Sequence, residues 1–275
     1  MEISSNSTIN QNLYLNNNQT LNRIATGIEL NQSSDNSSAL AITNNLLAQG
    51  NGYSKAIENT NSAIASTQIA SSAITEQSSI LDNIKEKLLQ ASTDTTSQDG
   101  REMILKDIQS QLNQFDQIAS STNYNGQSLL QNSASDNSAP QAQQYQAGLN
   151  SEDLIETTSV QANTEGLGLT ALSSQDATSF TSSAAKGFLQ SVDDAINSLN
   201  DIRSEFGSVQ NQLESSNRNL MSQETSTLSA ASATDTDYAK ESANFSKQNI
   251  MGQIGAFSLA QGNNINQQMV TRLLS

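Results

Sequence analysis

Histidine, cysteine and tryptophan are absent from this chain of 275 residues, and proline occurs once. Without cysteine there is no disulfide, no thiol nucleophile and no thiolate metal site; without histidine there is no imidazole base. Most familiar catalytic arrangements therefore cannot be built. Strongly apolar residues are also scarce. Leu, Ile, Val and Phe together make up about a fifth of the chain, close to the ~20 % below which a charged chain is expected to stay unfolded. A monomer can bury only a thin core. Basic residues number 12 against 27 acidic ones, a net charge of −15. Phosphate backbones and anionic lipid repel such a surface, which argues against nucleic acid as a partner. No apolar run approaches the roughly 18 residues of a membrane span, so no membrane insertion is expected. The opening Met1-Glu2-Ile3-Ser4-Ser5-Asn6 lacks the basic and apolar regions of a secretory signal peptide. The protein either stays inside or leaves by a route that needs none.

What fills the space is uncharged and polar: nearly half of the residues are Ser, Thr, Asn or Gln. Within that background the clearest order is a stripe near the C-terminal end. Phe188, Val192, Ala195, Leu199, Ile202, Phe206, Val209, Leu213 and, after Ser216, Leu220 recur at alternating steps of four and three. This heptad seam predicts one long helix of roughly 50 Å that needs partner helices. Leu105, Ile108, Leu112, Phe115 and Ala119 repeat the alternation, and Ile57, Ile64, Ile74, Leu81 and Leu88 suggest a diluted version interrupted by Thr60, Thr67, Ser71 and Ser78. Residues 53–92 and 101–120 are expected to lie antiparallel around a turn at Gly100, with 180–230 along them. The fold class predicted is mostly α, a long antiparallel helical bundle or coiled coil formed by the two halves of the chain.

Between about 121 and 175 the helical period is lost. Asn125-Gly126 is a strong short-range hairpin signal, Pro140 falls in a polar stretch, and Leu154-Ile155-Glu156 alternates like a strand. A small β-hairpin element is predicted there, with too few apolar residues for an independent domain. Both ends carry loose apolar patterns, Leu13 to Leu30 and Phe245 to Phe257, but lack the mass to fold alone.

Strings that mimic chemistry do not hold together. Ser183-Ala184-Ala185-Lys186 spells S-x-x-K and Ser34-Asp35-Asn36 spells S-D-N, yet the accompanying K-T-G is missing. Asp193-Asp194 and Asp235-Thr236-Asp237 lack the central Gly and closing Glu of a calcium loop; helix-start acid and a helix cap account for them. The expectation is no enzyme, no metal and no cofactor.

Two terminal signatures carry a resemblance. Ile24-Ala25-Thr26-Gly27-Ile28-Glu29-Leu30-Asn31-Gln32-Ser33-Ser34-Asp35, followed by Ala39-Leu40-Ala41-Ile42, resembles the N-terminal motif of bacterial flagellin. Ile202-Arg203-Ser204-Glu205-Phe206-Gly207-Ser208-Val209-Gln210-Asn211-Gln212-Leu213, then Asp235-Thr236-Asp237-Tyr238-Ala239-Lys240-Glu241 and Leu259-Ala260-Gln261-Gly262-Asn263, resembles its C-terminal half. Asn123-Tyr124-Asn125-Gly126 falls where the family carries an aromatic-Asn-Gly turn. Gly27, Asn31, Asp35, Arg203, Gly207, Gln210, Asn211, Asp237 and Tyr238 are the signature positions.

The resemblance implies a minimal flagellin without outer variable domains. Residues 1–40 and 236–275 would form an inner-tube coiled coil, 41–130 and 175–235 a rod-like helical core, and 131–174 a short β connector. It implies polymerisation into the extracellular flagellar filament for motility. Ile24, Ile28, Phe245, Ile250, Ile254, Phe257, Leu273 and Leu274 are the expected inner-tube contacts. It further implies passage through the flagellar type III export apparatus, an export chaperone on the C-terminal helix, and contact with filament cap and hook-junction proteins and with other flagellins. The alternatives are a secreted, soluble flagellin-like binder or modulator, and a hook–filament junction protein.

Three departures from the family pattern stand out. Glu29 occupies a position usually held by Arg, the usual Asp-Asp pair reads Asp35-Asn36, and Asn264-Ile265-Asn266-Gln267 replaces a stretch that often carries proline. Reversed charge at Glu29 should alter subunit matching. The resemblance also implies an innate-immune receptor face over Asn83, Glu86 and Lys87. Asn83 stands where a key Arg is expected and Lys87 at an apolar position, so that face is predicted to be weakened.

Overall fold

The computed structural model describes residues 15–232 and 236–274, with side chains except at Asp35, 258–260 and 262–274. Residues 15–26 are helical (α1). Next come α2 (Ser33–Ala91), α3 (Gln98–Ser121), two short hairpins, α4 (Thr170–Ser173), a 3₁₀ turn (Ala177–Ser179), α5 (Ser182–Ser232) and α6 (Tyr238–Leu274).

The helix of α2 truly begins at Asn36, whose backbone is extended (φ −165°, ψ 98°) and whose Oδ1 accepts from the Ala39 N–H at 3.0 Å. That is an N-cap, and a short polar side chain is what the position requires. From there the buried seam of α2 runs through Ala56, Thr60, Ala63, Thr67, Ala70, Ile74, Gln77, Leu81, Ile84, Leu88 and Ala91, an unbroken four-three alternation. The sequence pattern suggested Ile57 and Ile64 for the upper part, but these lie beside the seam and are half-buried. Ala56, Ala63 and Ala70 occupy it instead and are buried. Thr60 and Thr67 satisfy their hydroxyls on the carbonyls of Ile57 and Ile64, at 2.9 Å each.

Gly100 does not separate two helices; it lies in the first turn of α3. Ser97 is the N-cap and its Oγ accepts from the Gly100 N–H at 3.1 Å, so the helix starts before the glycine. The Arg101 guanidinium closes the preceding loop by donating to the Thr96 carbonyl at 2.5 Å. The α3 seam, Leu105, Ile108, Leu112, Phe115 and Ala119, is buried. On α5, Val192, Ala195, Leu199, Phe206, Val209, Leu213 and Leu220 are buried, and Phe188 and Ile202 pack partly buried against them.

Between α3 and α5 the chain forms two antiparallel hairpins, β1 (Asn123–Tyr124) with β2 (Gln127–Ser128) and β3 (Gln144–Gln146) with β4 (Leu154–Glu156). Asn125 and Gly126 make the first turn with φ of 50° and 79°, the two positive values that a two-residue hairpin of this hand needs. This stretch is part of the core, since Leu129, Leu130, Val160, Ala162, Leu169, Leu172 and Phe180 are buried among the helix seams. Helix glutamines hold its backbone: Gln77 Nε2 donates to the Ala162 carbonyl (2.7 Å) as well as to that of Phe115 in α3 (3.2 Å), and Gln109 Nε2 donates to the carbonyls of Ser173 and Gln175. Asp116 accepts from both the N–H and the hydroxyl of Thr164, at 2.7 and 2.8 Å. Side-chain amides and a carboxylate thus supply hydrogen-bond partners to backbone groups of this stretch where no strand ladder does.

By packing, the chain divides into two compact units. The central one is Asn51–Gln223, and the terminal one combines Met1–Gly50 with Glu224–Ser275.

Candidate functional site

Within the terminal unit, α1 and the start of α6 meet in antiparallel register. Asn17 Nδ2 donates to Asn249 Oδ1 at 3.5 Å, the Arg23 guanidinium lies 3.6 Å from the Glu241 carboxylate, and the Thr236 N–H donates to the Gly27 carbonyl at 3.0 Å. Glu241 is only 7 % exposed. A buried carboxylate of this kind stays in place because a cation faces it.

The signature residues Gly27, Asn31, Asp237 and Tyr238 build the joint at the end of α1. Gly27 ends the helix with φ +75°, its N–H still donating to the Arg23 carbonyl at 2.8 Å. A Cβ there would lie 2.8 Å from the Tyr238 hydroxyl oxygen, so glycine is needed both for the backbone and for the space. Asn31 Nδ2 locks the following turn by donating to Thr26 Oγ1 and to the Ile28 carbonyl, at 2.6 and 3.0 Å. Asp237 Oδ1 caps α6 by accepting from the N–H groups of Ala239 and Lys240 at 3.0 and 3.1 Å. The side chain of Asp35 lies outside the described residues.

Many apolar residues of this unit are left exposed. Ile250, Ile254 and Phe257 are 57, 62 and 78 % exposed, and Leu15, Leu21, Ile28, Ile42, Leu47 and Met251 are exposed as well. Ile24 and Phe245 are half-buried. The side chains of Leu273 and Leu274 lie outside the described residues. At these points polar groups pair with polar groups between the two helices, while Ile250, Ile254 and Phe257 are presented outward. Sequence reading placed Thr236 and Glu241 in the C-terminal signature but did not pair them with Gly27 and Arg23, since nothing in local periodicity says which positions of two distant helices will oppose each other.

Other predicted residues fall on the central unit. Arg203 is exposed and donates to Asn200 Oδ1 at 3.0 Å; Gln210 Nε2 donates to Glu214 Oε1 at 3.0 Å. An open groove of about 630 Å³ along α5 is lined by Ser204, Gly207, Ser208, Asn211, Gln212 and Ser215, hydroxyls and amides with no titratable group among them. Asn83 and Glu86 are exposed, whereas Lys87 is half-buried and pairs with Asp107 at 3.1 Å. Among the described residues no group of three or more carboxylates could hold a metal, and no helix is long and apolar enough to cross a membrane.

Comparison with known proteins places this geometry. Residues 1–135 match the family model of the bacterial flagellin N-terminal helical region, and residues 189–274 that of the C-terminal helical region. The chain is 29 % identical over 267 residues to the flagellin of Halalkalibacterium halodurans, covering 96 % of this chain and 94 % of that one. It is 29 % identical over 279 residues to the flagellin of Bacillus subtilis, covering 93 and 92 %. Its fold is similar to the crystal structure of Bacillus cereus flagellin, with a TM-score of 0.52 at 24 % identity over 59 % of this chain and 88 % of that one. It is also similar to a putative flagellar hook-associated protein from Vibrio parahaemolyticus, with a TM-score of 0.60 at 10 % identity over 74 and 100 % of the two chains.

Proposed function

The chain belongs to the bacterial flagellin family, and from that membership we infer that it is a structural subunit, which polymerises into the extracellular filament of the bacterial flagellum. The observation that carries the mechanism is the outward display of Ile250, Ile254 and Phe257 on a helix pair whose inner face is polar. Apolar surface of that kind is costly in water and is removed when it meets the same surface of neighbouring copies. Subunits joined head to tail through non-identical faces form an open helical array.

In this reading the ends of the chain, within 1–40 and 236–275, line an inner tube through Ile24, Ile28, Phe245, Ile250, Ile254, Phe257, Leu273 and Leu274. Residues 41–130 and 175–235 form the surrounding helical layer, and 131–174 stands where longer relatives could carry outer domains. Self-assembly needs no catalytic group. Export through the flagellar secretion apparatus, a chaperone on the C-terminal helix, and contacts with cap and junction proteins are the accompanying partners. The pairing of Lys87 with Asp107 supports a weakened receptor face over Asn83, Glu86 and Lys87, since the ammonium is already engaged within the subunit.

The test is assembly of truncated chains. Variants lacking residues 1–30 or 246–275 should remain soluble and helical by circular dichroism, yet form no filaments under conditions in which the full chain does. Filament growth by either truncation, seen by negative-stain microscopy, would overturn the reading.

A further inference from the structure

The chain contains two Asn-Gly pairs, Asn51-Gly52 and Asn125-Gly126, and the fold treats them in opposite ways. We propose that Asn125 is a site of spontaneous covalent modification, losing its side-chain amide through a cyclic imide, and that Asn51 is protected from the same chemistry by α2. The reaction needs no catalyst beyond water and base. The deprotonated amide nitrogen of the glycine attacks Cγ of the asparagine, a C–N bond forms, the Cγ–Nδ2 bond breaks and ammonia leaves. Water then opens the five-membered imide at either carbonyl, giving aspartate or its β-linked isomer. No electrons are transferred.

Attack requires a glycine N–H that is free and an asparagine able to swing its side chain onto it. Asn125 and Gly126 are both exposed, and a Cβ built on Gly126 meets nothing within 4 Å. Asn125 holds φ 50° at the exposed tip of a hairpin that is tied to the core only below the turn, through Tyr124 and Leu129, so the two turn residues can rearrange without opening that core. Asn51-Gly52 sits inside α2, where the glycine N–H belongs to the helical ladder. The Leu149 side chain also occupies the space that a Gly52 Cβ would take, packing a second segment onto that backbone. Attack there demands that several helical turns come apart first.

The product alters the subunit where Leu129 and Leu130 enter the core. Each event adds one negative charge to a chain already at −15, and the β-linked isomer inserts a methylene into a two-residue turn. Subunits fixed in a filament outside the cell are not resynthesised in place, so this chemistry accumulates with age.

The experiment incubates the full chain at mildly alkaline pH, native and in concentrated urea. Ammonia release is followed together with peptide mapping that resolves the two sites and enzymatic methylation of β-linked aspartate. In urea both pairs should react at similar rates, since each asparagine precedes glycine. In the native protein Asn125 should react at least about tenfold faster than Asn51, because each ~1.4 kcal/mol of opening free energy slows the helical site tenfold. Equal native rates, or a native Asn125 protected as strongly as Asn51, would overturn the proposal.

Discussion

The terminal and central units carry a similar share of strongly apolar residues and use it in reverse. In the central unit, α2, α3 and α5 turn their seams inward over Ile74, Leu81, Phe115, Leu199 and Phe206, and amides such as Gln77 seal the loop backbone. In the terminal unit Ala231 is, among the described residues, the one apolar side chain that is fully covered, and the inner face belongs to Arg23, Glu241 and the asparagines. The central unit has completed its burial within one chain. The terminal unit pairs α1 with α6 through polar contacts and leaves Ile250, Ile254 and Phe257 exposed. A polar seam suits that role, because it adds little stability but strongly disfavours wrong registers, in which buried charge would be left unpaired.

The comparison can be broken most sharply by truncating one phenylalanine in each unit. Phe115→Ala should destabilise the isolated subunit by about 3–5 kcal/mol, read as a lowered urea midpoint. Phe257→Ala should change subunit stability by less than about 0.5 kcal/mol. It should still raise the critical concentration for assembly about tenfold or more, because covering a phenylalanine contributes ~1.5–3 kcal/mol. If both variants lose subunit stability equally, the two units do not differ as described.

Gln77→Ala sharpens the claim that amides hold the central loop. It removes the donor to two carbonyls and should cost about 1–3 kcal/mol, whereas an exposed glutamine such as Gln68 should be replaceable at almost no cost. Gly27→Ala probes the terminal joint. A side chain at φ +75° that also displaces the Tyr238 hydroxyl should cost about 1–2 kcal/mol locally. Amide exchange should then quicken in α1 and at the start of α6 while the Phe115 region stays unchanged.

The smallest effect is electrostatic. The Asp176 carboxyl is held below its ordinary 3.8 by the backbone N–H of Thr178 first and its hydroxyl second. A depressed folded value means that this contribution is present above 3.8 and is lost as pH falls through the lower folded value. Wild type should therefore exceed Asp176→Ala in stability at neutral pH, and the gap should close in strong acid. A gap that persists at low pH would remove the carboxylate from the account.

Much of the central fold was legible because heptad spacing is a local property. The stripes of α3 and α5 follow from the side-chain period of a helix, and Asn125-Gly126 announces its turn through the two positive φ values it tolerates. The seam of α2 was harder, since Ala56, Ala63 and Ala70 carry a weak apolar signal and Ile57 and Ile64 a stronger one just beside it. Burial is decided by which face a neighbour covers.

The terminal signatures were visible as a resemblance, yet most of their physical roles were not. The cap at Asp237 was legible and is found on the Ala239 and Lys240 N–H groups, but Asn31 and Tyr238 read as isolated letters until the fold shows a turn lock and a ring beside Gly27. The pairing of Arg23 with Glu241 gave no signal at all, the two being separated by most of the chain.

What the amino-acid sequence determined by itself was the seams of α3 and α5, the hairpin at Asn125-Gly126 and the scarcity of strongly apolar residues. These depend on residue type and on spacing over a few turns. Only the tertiary structure decided which residue opposes which across α1 and α6, which face of α2 is covered, and that one Asn-Gly pair lies open while the other is held in a helix. Those outcomes depend on the approach of distant segments, and the free energy of a buried or paired group belongs to its surroundings rather than to the residue alone.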